Sequence, residues 1–375
     1  MVRGMRHVIG GAALVAGILL QTTHAFAQLP SWMQHQPQRR YVQPQHRAPA
    51  HEAPQQHIQQ PESQRQAQPQ QRAKPEPPPQ NTAERQACLK PDTPADAMIA
   101  ACTVVIDAAR DKGATLATIY QQRGDAYREK NDLDNAIKDL SASIDADGRS
   151  AAVYFSRATA YKAKGDLDNA IADLDQTIKL DPRQEKYFSI RSHALFVKRD
   201  YTRAIADLTQ MVKFNPRNTL AIYNRAMAYR AKGEPDRAVP DFDLVLKITP
   251  NDAFAYHNRG LSYRDMRDYD RAIRDFDAAV KINPSFTQAI NDRGLAYVAK
   301  GETDHAIADF DQAIQINPKD SLAYNNRGLA YRNKGETDSA INNYDQAILI
   351  SPDFALAYYN RGNAYYDKRD YDRAI

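Results

Sequence analysis

The sequence has few cysteines: Cys88 and Cys102 are the only two in 375 residues. Their spacing is not the Cys-x-x-Cys of a redox motif, and no further ligands accompany them as a metal site would require. In an exported chain such a pair meets an oxidising compartment and is expected to bridge. We therefore predict a Cys88–Cys102 disulfide and no metal site.

The sequence also lacks the motifs of common active sites. It contains no Gly-rich phosphate loop, no HExxH-like metal motif and no nucleophile elbow. Acidic pairs such as Asp275 with Asp277 recur along the chain, whereas an active site is a singular constellation. We predict no catalytic residues and no cofactor, so the residues present are not expected to form an enzyme.

Net charge is low and unevenly placed. The formal charge of +4 arises within residues 1–116, because residues 117–375 contain equal numbers of basic and acidic side chains. A nucleic-acid binder is expected to concentrate basic charge on its folded part. The neutral body of this chain therefore predicts no nucleic-acid partner.

The apolar run near the N-terminus is too short for a comfortable membrane span. It extends from Val8 to Leu20, follows basic residues and precedes the small-residue site Ala25-Phe26-Ala27, whereas a membrane helix needs about 20 apolar residues. This layout is that of a secretory signal peptide over 1–27, with a retained anchor as the weaker alternative. It predicts an exported bacterial protein, periplasmic or secreted, without an integral membrane span after cleavage.

The segment 28–86 is rich in Gln and Pro and has almost no aliphatic periodicity. Such a composition cannot bury enough apolar surface to offset its ordering entropy. We interpret it as a disordered linker. Residues 87–116 follow, in which 94–111 carry the apolar pattern of one degenerate capping helix, and the predicted disulfide would pin the end of the linker across it.

From Ala117 onward one pattern returns every 34 residues, and Ala117 is taken as position 1. Position 20 is always Ala, and Pro closes most units at position 32. Position 7 is always Arg: Arg123, Arg157, Arg191, Arg225, Arg259, Arg293, Arg327 and Arg361. The units are 117–150, 151–184, 185–218, 219–252, 253–286, 287–320, 321–354 and the incomplete 355–375.

Each unit is expected to form two helices. Apolar positions recur at helical spacing, a Gly or polar residue stands near position 15, and the closing Pro cannot continue a helix. A single helix pair cannot bury its apolar face alone, so neighbouring units must stack. The final unit stops at Ile375, inside its second helix, which suggests a fragment of a longer chain.

The pattern resembles the tetratricopeptide repeat, with a small residue at position 8, an aromatic residue at 11, Ala at 20, an aromatic residue or Leu at 24, and Pro at 32. The resemblance covers residues 117–375. It implies an all-α fold, a right-handed α-solenoid of about eight stacked antiparallel helix pairs with a concave groove. It also implies a non-catalytic scaffold that binds extended or helical segments of partner proteins; the alternative is a substrate-recruiting region of a longer enzyme.

A carboxylate follows most of the position-7 arginines by 16 residues. Antiparallel helices would bring the two groups together in a charge-assisted bond. The predicted structural ladder includes Arg157 with Asp173, Arg225 with Asp241, Arg259 with Asp275, and Arg293 with Asp309. The alternative is a row of cations that lines a groove for acidic ligands.

Position 6 supplies the candidate groove residues, which we expect on the exposed side of the first helices: Asn224, Asn258, Asp292, Asn326 and Asn360. The family resemblance implies that such asparagines can bond the backbone of a bound peptide. Position 12 adds cations that would favour acidic groups: Arg128, Lys162, Arg230, Arg264 and Arg332. The alternative for both rows is solvated surface. Partner identity and oligomeric state do not follow from the sequence.

Overall fold

The computed structural model describes residues 82–374. The signal peptide predicted over 1–27 and nearly all of the linker predicted over 28–86 lie outside this part. All regular secondary structure of the described residues is α-helical. The helices are α1 Ala83–Leu89, α2 Ala95–Asp107, α3 Gly113–Glu129, α4 Leu133–Ala146, α5 Ala151–Lys164, α6 Leu167–Leu180, α7 Glu185–Val197, α8 Tyr201–Phe214, α9 Thr219–Ala231, α10 Pro235–Ile248, α11 Ala253–Asp265, α12 Tyr269–Ile282, α13 Thr287–Lys300, α14 Thr303–Ile316, α15 Ser321–Lys334, α16 Thr337–Ile350, α17 Ala355–Asp367 and α18 Tyr371–Ala374.

From α3 onward the helices form consecutive pairs. Each odd-numbered helix, the first helix of a unit, packs on the following even-numbered second helix. Each second helix also packs on the next first helix, and several consecutive first helices touch one another. This arrangement is the stacked solenoid that the repeat predicts. None of the described helices is long and apolar enough to cross a membrane.

Local sequence sets the ends of the second helices. An acidic residue at position 16 precedes each one. Where it is Asp it caps the helix, and Asp132, for example, accepts a hydrogen bond from the backbone N–H of Asn135 at 3.3 Å, whereas Glu234, Glu302 and Glu336 make no such bond. Such a cap satisfies one of the free N–H groups of the first turn and contributes about 1 kcal/mol. The turn before it places position 15 in the left-handed region in every unit.

The left-handed residue at position 15 is glycine in half of the units and a larger residue in the others. Gly301 has φ 80°, and Arg267 at the equivalent place has φ 63°. A side chain in this conformation costs about 1–2 kcal/mol, and glycine costs about 0.5–1 kcal/mol in unfolded-state entropy.

We therefore expect Arg267→Gly to raise the free energy of unfolding by about 0.5–1 kcal/mol, since the strain it removes exceeds the entropy it adds. Urea unfolding of the two chains measures this difference. The matched control is Gly301→Ala, which should lower stability. An equal response of both variants would contradict the assigned role of position 15.

The helices of a unit meet at small residues. Ala272 at position 20 is fully buried, and so is Phe276 at position 24. Gly260 at position 8 lies against the ring of Phe276, and a Cβ atom there would come within 2.8 Å of it. The same close approach recurs between Gly294 and Phe310, so two helices pack around one aromatic ring in each of these units.

The N-terminal end of the stack differs in detail from the single capping helix predicted over 87–116. The structure has two helices there, α1 and α2, because Pro91 and Pro94 interrupt the chain and Thr82 caps α1. Helix α3 begins at Gly113, before the repeat boundary. Cys88 and Cys102 form a disulfide between α1 and α2 and are fully buried.

Candidate binding surface

Seven of the eight arginines at position 7, those from Arg123 to Arg327, bond to the second helix of their own unit. The Nε and Nη2 atoms of Arg259 donate to the two carboxylate oxygens of Asp275 at 2.8 and 2.7 Å. The same two-point bond joins Arg123 to Asp139, Arg157 to Asp173, Arg191 to Asp207, Arg225 to Asp241 and Arg293 to Asp309. A planar guanidinium suits this geometry, which a lysine could not reproduce.

A third contact links each arginine to the preceding unit. The Nη1 atom of Arg259 donates to Asp243, and that of Arg293 donates to Asp277 at 2.6 Å. Arg157 uses Ser141 at 2.9 Å in the same way. One guanidinium therefore connects three helices, its own and two second helices, and holds consecutive units in register.

The carboxylates of this ladder are buried. Burial raises the pKa of the Asp275 carboxyl even though its bonds to Arg259 act in the opposite direction, and Asp309 behaves likewise with Arg293. The hydrogen bonds that Arg259 donates to Asp275 in turn raise the pKa of the Arg259 guanidinium despite its partial burial. The charges of these groups are therefore paired with each other inside the fold.

The sequence predicted that the position-6 asparagines lie on the exposed side of the first helices. In the structure three of them are buried instead. Asn258, Asn326 and Asn360 are only 4%, 3% and 5% exposed. The Nδ2 atom of Asn258 donates to the Tyr223 hydroxyl at 2.7 Å, and that of Asn360 to Asn325 Oδ1 at 2.9 Å. The expectation fails because the neighbouring first helix covers position 6. Asn224 is half-buried.

Asp292 occupies position 6 in the sixth unit and belongs to a buried network. Its carboxylate accepts from Arg264 Nη1 and lies 2.7 Å from His257 Nε2, both on the preceding first helix. Burial opposes ionisation, but the charge of Arg264 and the bond to His257 outweigh it, so the pKa of Asp292 is lowered. Arg264 is itself buried, which also corrects the expectation that it faces a ligand.

Two further position-12 arginines, Arg230 and Arg332, have partners on the next first helix, whereas Arg128 pairs with Asp125 on its own helix. Arg230 Nε donates to Asp265 at 2.7 Å, and Arg332 Nε donates to Asp367 at 2.6 Å. In each of these bonds the two partners are 35 residues apart in the sequence. This separation exceeds the 34-residue unit, so it is not seen when one unit is considered alone. Position 12 thus meets position 13 of the next unit, as position 5 meets position 6 between Tyr223 and Asn258.

Some first helices carry large apolar side chains that are exposed. Leu220 and Phe254, both at position 2, are each 50% exposed. They lie one unit apart on α9 and α11, two helices that touch. Among residues 82–374, no group of three or more His, Cys, Asp or Glu side chains is placed to hold a metal ion.

Comparison with protein families identifies the repeat. Models described as tetratricopeptide repeat match residues 122–185, 191–253 and 253–286, and a model described as TPR repeat matches 294–335 and 328–368. Together these matches cover more than half of the chain. The chain belongs to the tetratricopeptide repeat family. Among curated protein sequences, none matches the chain.

Several solved structures are similar to this chain. The C-terminal part of a TPR repeat-containing protein from Cytophaga hutchinsonii has a TM-score of 0.52 and 17% identity, covering 63% of this chain and 97% of that one. A tetratricopeptide repeat protein from Parabacteroides merdae has a TM-score of 0.49 and 17% identity, covering 67% and 99%. MamA has a TM-score of 0.41 and 26% identity, covering 44% and 96%. The first of these likenesses supports the fold alone.

Proposed function

We propose that this tetratricopeptide array is a non-catalytic scaffold that binds extended or helical segments of partner proteins along its first helices. The observation that carries the proposal is the pair of half-exposed apolar side chains, Leu220 and Phe254, at the same position of two touching helices. Apolar side chains of a peptide would be removed from water there.

The buried polar bonds between units support the same role. The Arg259 contacts and the Asn258–Tyr223 bond connect neighbouring units and leave few ways for them to move relative to one another. A rigid surface loses little entropy when a partner binds, which increases affinity. The buried polar groups thus hold the units together, and the exposed apolar groups bind the partner.

The test is selection of peptides from a displayed library of random dodecamers on the purified chain, followed by fluorescence anisotropy. We expect Leu220→Glu with Phe254→Glu to weaken the selected peptides at least tenfold, because two charges replace the apolar contacts. The control is Leu349→Glu, since Leu349 is highly exposed but lies on a second helix. Equal affinity for all three chains would contradict the proposal.

We also propose that the protein is exported through a cleaved signal at 1–27 and is periplasmic or secreted. The buried Cys88–Cys102 disulfide supports this, because such bonds persist in oxidising compartments. Fractionation of a bacterial host expressing the full chain, with N-terminal sequencing, should give a mature chain beginning at Gln28. A cytoplasmic chain that retains Met1 would exclude export.

A further inference from the structure

The cations at position 12 have a carboxylate partner in four units and lack one in the second. Arg128 pairs with Asp125 on its own helix, whereas the fourth, fifth and seventh units draw an aspartate from the next first helix: Arg230 with Asp265, Arg264 with Asp292, and Arg332 with Asp367. Lys162 is the exception. Within residues 82–374, no carboxylate forms an ion pair or hydrogen bond with its ammonium group.

The sequence of the next first helix, α7, explains the missing partner. At position 6, where the sixth unit has Asp292, the third unit has Ile190. At position 13, where the fifth unit has Asp265, it has Val197, which is 43% exposed. The face of α7 that approaches Lys162 is therefore apolar where the other units are acidic.

Lys162 is half-buried in this apolar setting. Burial lowers the pKa of its ammonium group, and no carboxylate offsets the loss of solvation. His193, at position 9 of α7, lies close enough for the charge of Lys162 to act on it: burial and that charge together lower its pKa to about 4. The imidazole is thus neutral at pH 7, and Lys162 holds a partly desolvated positive charge.

A second cation, Lys186, lies on α7 two turns before His193. Lys186 is exposed, and its Nζ atom lies 5.2 Å from the ring centre of Phe155 and 5.3 Å from that of Tyr187. It forms no ion pair with a carboxylate among the described residues. The adjacent carboxylate, Glu185, is occupied by a hydrogen bond from Asn218.

We propose that the surface of α5 and α7 around Lys162 and Lys186 binds an acidic, extended segment of a partner protein, which supplies the two carboxylates that the fold omits. The inference rests on the proposed function and specifies the chemistry of one part of that surface. Opposite charge selects the segment, and Val197, exposed at the end of α7, offers a contact for its apolar side chains.

The helix geometry gives the spacing of the two acids. The ammonium group of Lys186 lies against Phe155 on α5, and Phe155 and Lys162 are seven residues apart on that helix, which corresponds to about 10 Å at about 1.5 Å per residue. An extended chain rises about 3.3 Å per residue. Two carboxylates about three residues apart in the bound segment would therefore reach the two lysines.

The test uses fluorescence anisotropy with the full chain and a labelled probe peptide, Ser-Asp-Val-Ser-Asp-Val-Ser with blocked ends, in which the aspartates are three residues apart. A matched probe has Asn in place of both Asp. We expect the Asp probe to bind at least tenfold more tightly than the Asn probe, and Lys162→Met to weaken the Asp probe at least tenfold. Added salt should weaken the Asp probe more than the Asn probe.

Lys164→Met is the matched control. It removes the same charge two residues away, from a side chain that pairs with Asp134 and lies outside this surface, and should change affinity less than twofold. Thermal unfolding should show Lys162→Met no less stable than wild type, because the change removes an unpaired, half-buried cation. Equal binding of both probes, or equal loss in both variants, would overturn the inference. If the inference failed in this way, the proposed function would still be supported by library-selected peptides that bind through Leu220 and Phe254.

Discussion

Replacement of Arg259 by Met is expected to lower the free energy of unfolding by about 3–5 kcal/mol. The variant leaves the Asp275 carboxylate, which is 6% exposed, without either of its two charge-assisted bonds. A buried charge that loses its partner retains the cost of desolvation. The contact with Asp243 on the preceding unit is lost as well. Urea unfolding followed by circular dichroism measures the effect.

The chain contains a matched control for this experiment. Arg327 occupies the same position two units later and also contacts an aspartate of the preceding unit, Asp311. Its partner on its own second helix is the neutral Asn343, at 2.7 Å. Arg327→Met therefore leaves no unpaired buried charge at position 23, and we expect a loss of about 1–3 kcal/mol. Equal losses in the two variants would contradict the assigned role of the buried carboxylate.

The difference between the two variants should depend on pH. Burial already raises the pKa of Asp275, and loss of Arg259 removes the group that lowers it. The folded variant then binds a proton more readily than the unfolded chain, so its stability rises as pH falls through the folded pKa toward the unfolded value of about 3.9. The deficit relative to Arg327→Met should be largest at neutral pH and shrink toward pH 4.

The same variant separates a structural role from a binding role. If Arg259→Met left urea unfolding unchanged but abolished binding of the selected peptides, the arginine series would be a ligand surface. The two-point bonds to buried aspartates, together with the third contact to the preceding unit, favour the structural role. The exposed Leu220 and Phe254, which carry the proposed function, lie at position 2 and make neither bond.

The repeat itself predicted the pairing within a unit. The 16-residue separation of Arg259 from Asp275 implies that two antiparallel helices bring them together, and the structure places them 2.7–2.8 Å apart. The positions of Ala and aromatic residues likewise indicated which faces meet, as for Ala272 and Phe276. Such contacts follow from local periodicity, because both partners lie in one unit.

The environment of position 6 could not be predicted in the same way. Helical periodicity shows which residues share a face, but it does not show whether another helix covers that face. Asn258 is buried because Tyr223, 35 residues earlier, reaches it from the neighbouring first helix. That contact depends on how the units stack. Helix α1 was missed for a related reason, since its seven residues show little periodicity and Cys88 alone is buried.

Replacement of Phe310 by Ala is expected to lower the free energy of unfolding by about 3–5 kcal/mol. The ring is fully buried between the two helices of the sixth unit. Its neighbour Gly294 has no side chain that could move into the space, and a Cβ atom there would lie 2.7 Å from the ring. The cavity should therefore persist, which places the cost toward the upper end of the range.

A rescue variant tests this packing directly. At the same two positions, 8 and 24, the second unit has Ala158 and Leu174, and both are fully buried. Gly294→Ala alone forces a Cβ atom against the ring and should cost about 1–3 kcal/mol. Combined with Phe310→Leu, it recreates the Ala–Leu pair of the second unit. The double variant should therefore lose less free energy of unfolding than Gly294→Ala and Phe310→Leu lose in sum. Simple additivity would show that the two positions do not pack on each other.

The sixth unit lies inside the array, which gives Phe310→Ala a second consequence. Solenoid stability is the sum of unit stabilities and interface contributions between neighbours. Weakening α13 and α14 weakens the interfaces with the fifth and seventh units together, and the segments on either side lose their coupling. We expect urea unfolding of the variant to separate into two transitions, while the surface change Leu349→Glu leaves the profile of wild type. A single transition with a loss below about 1 kcal/mol would contradict a core role for this ring.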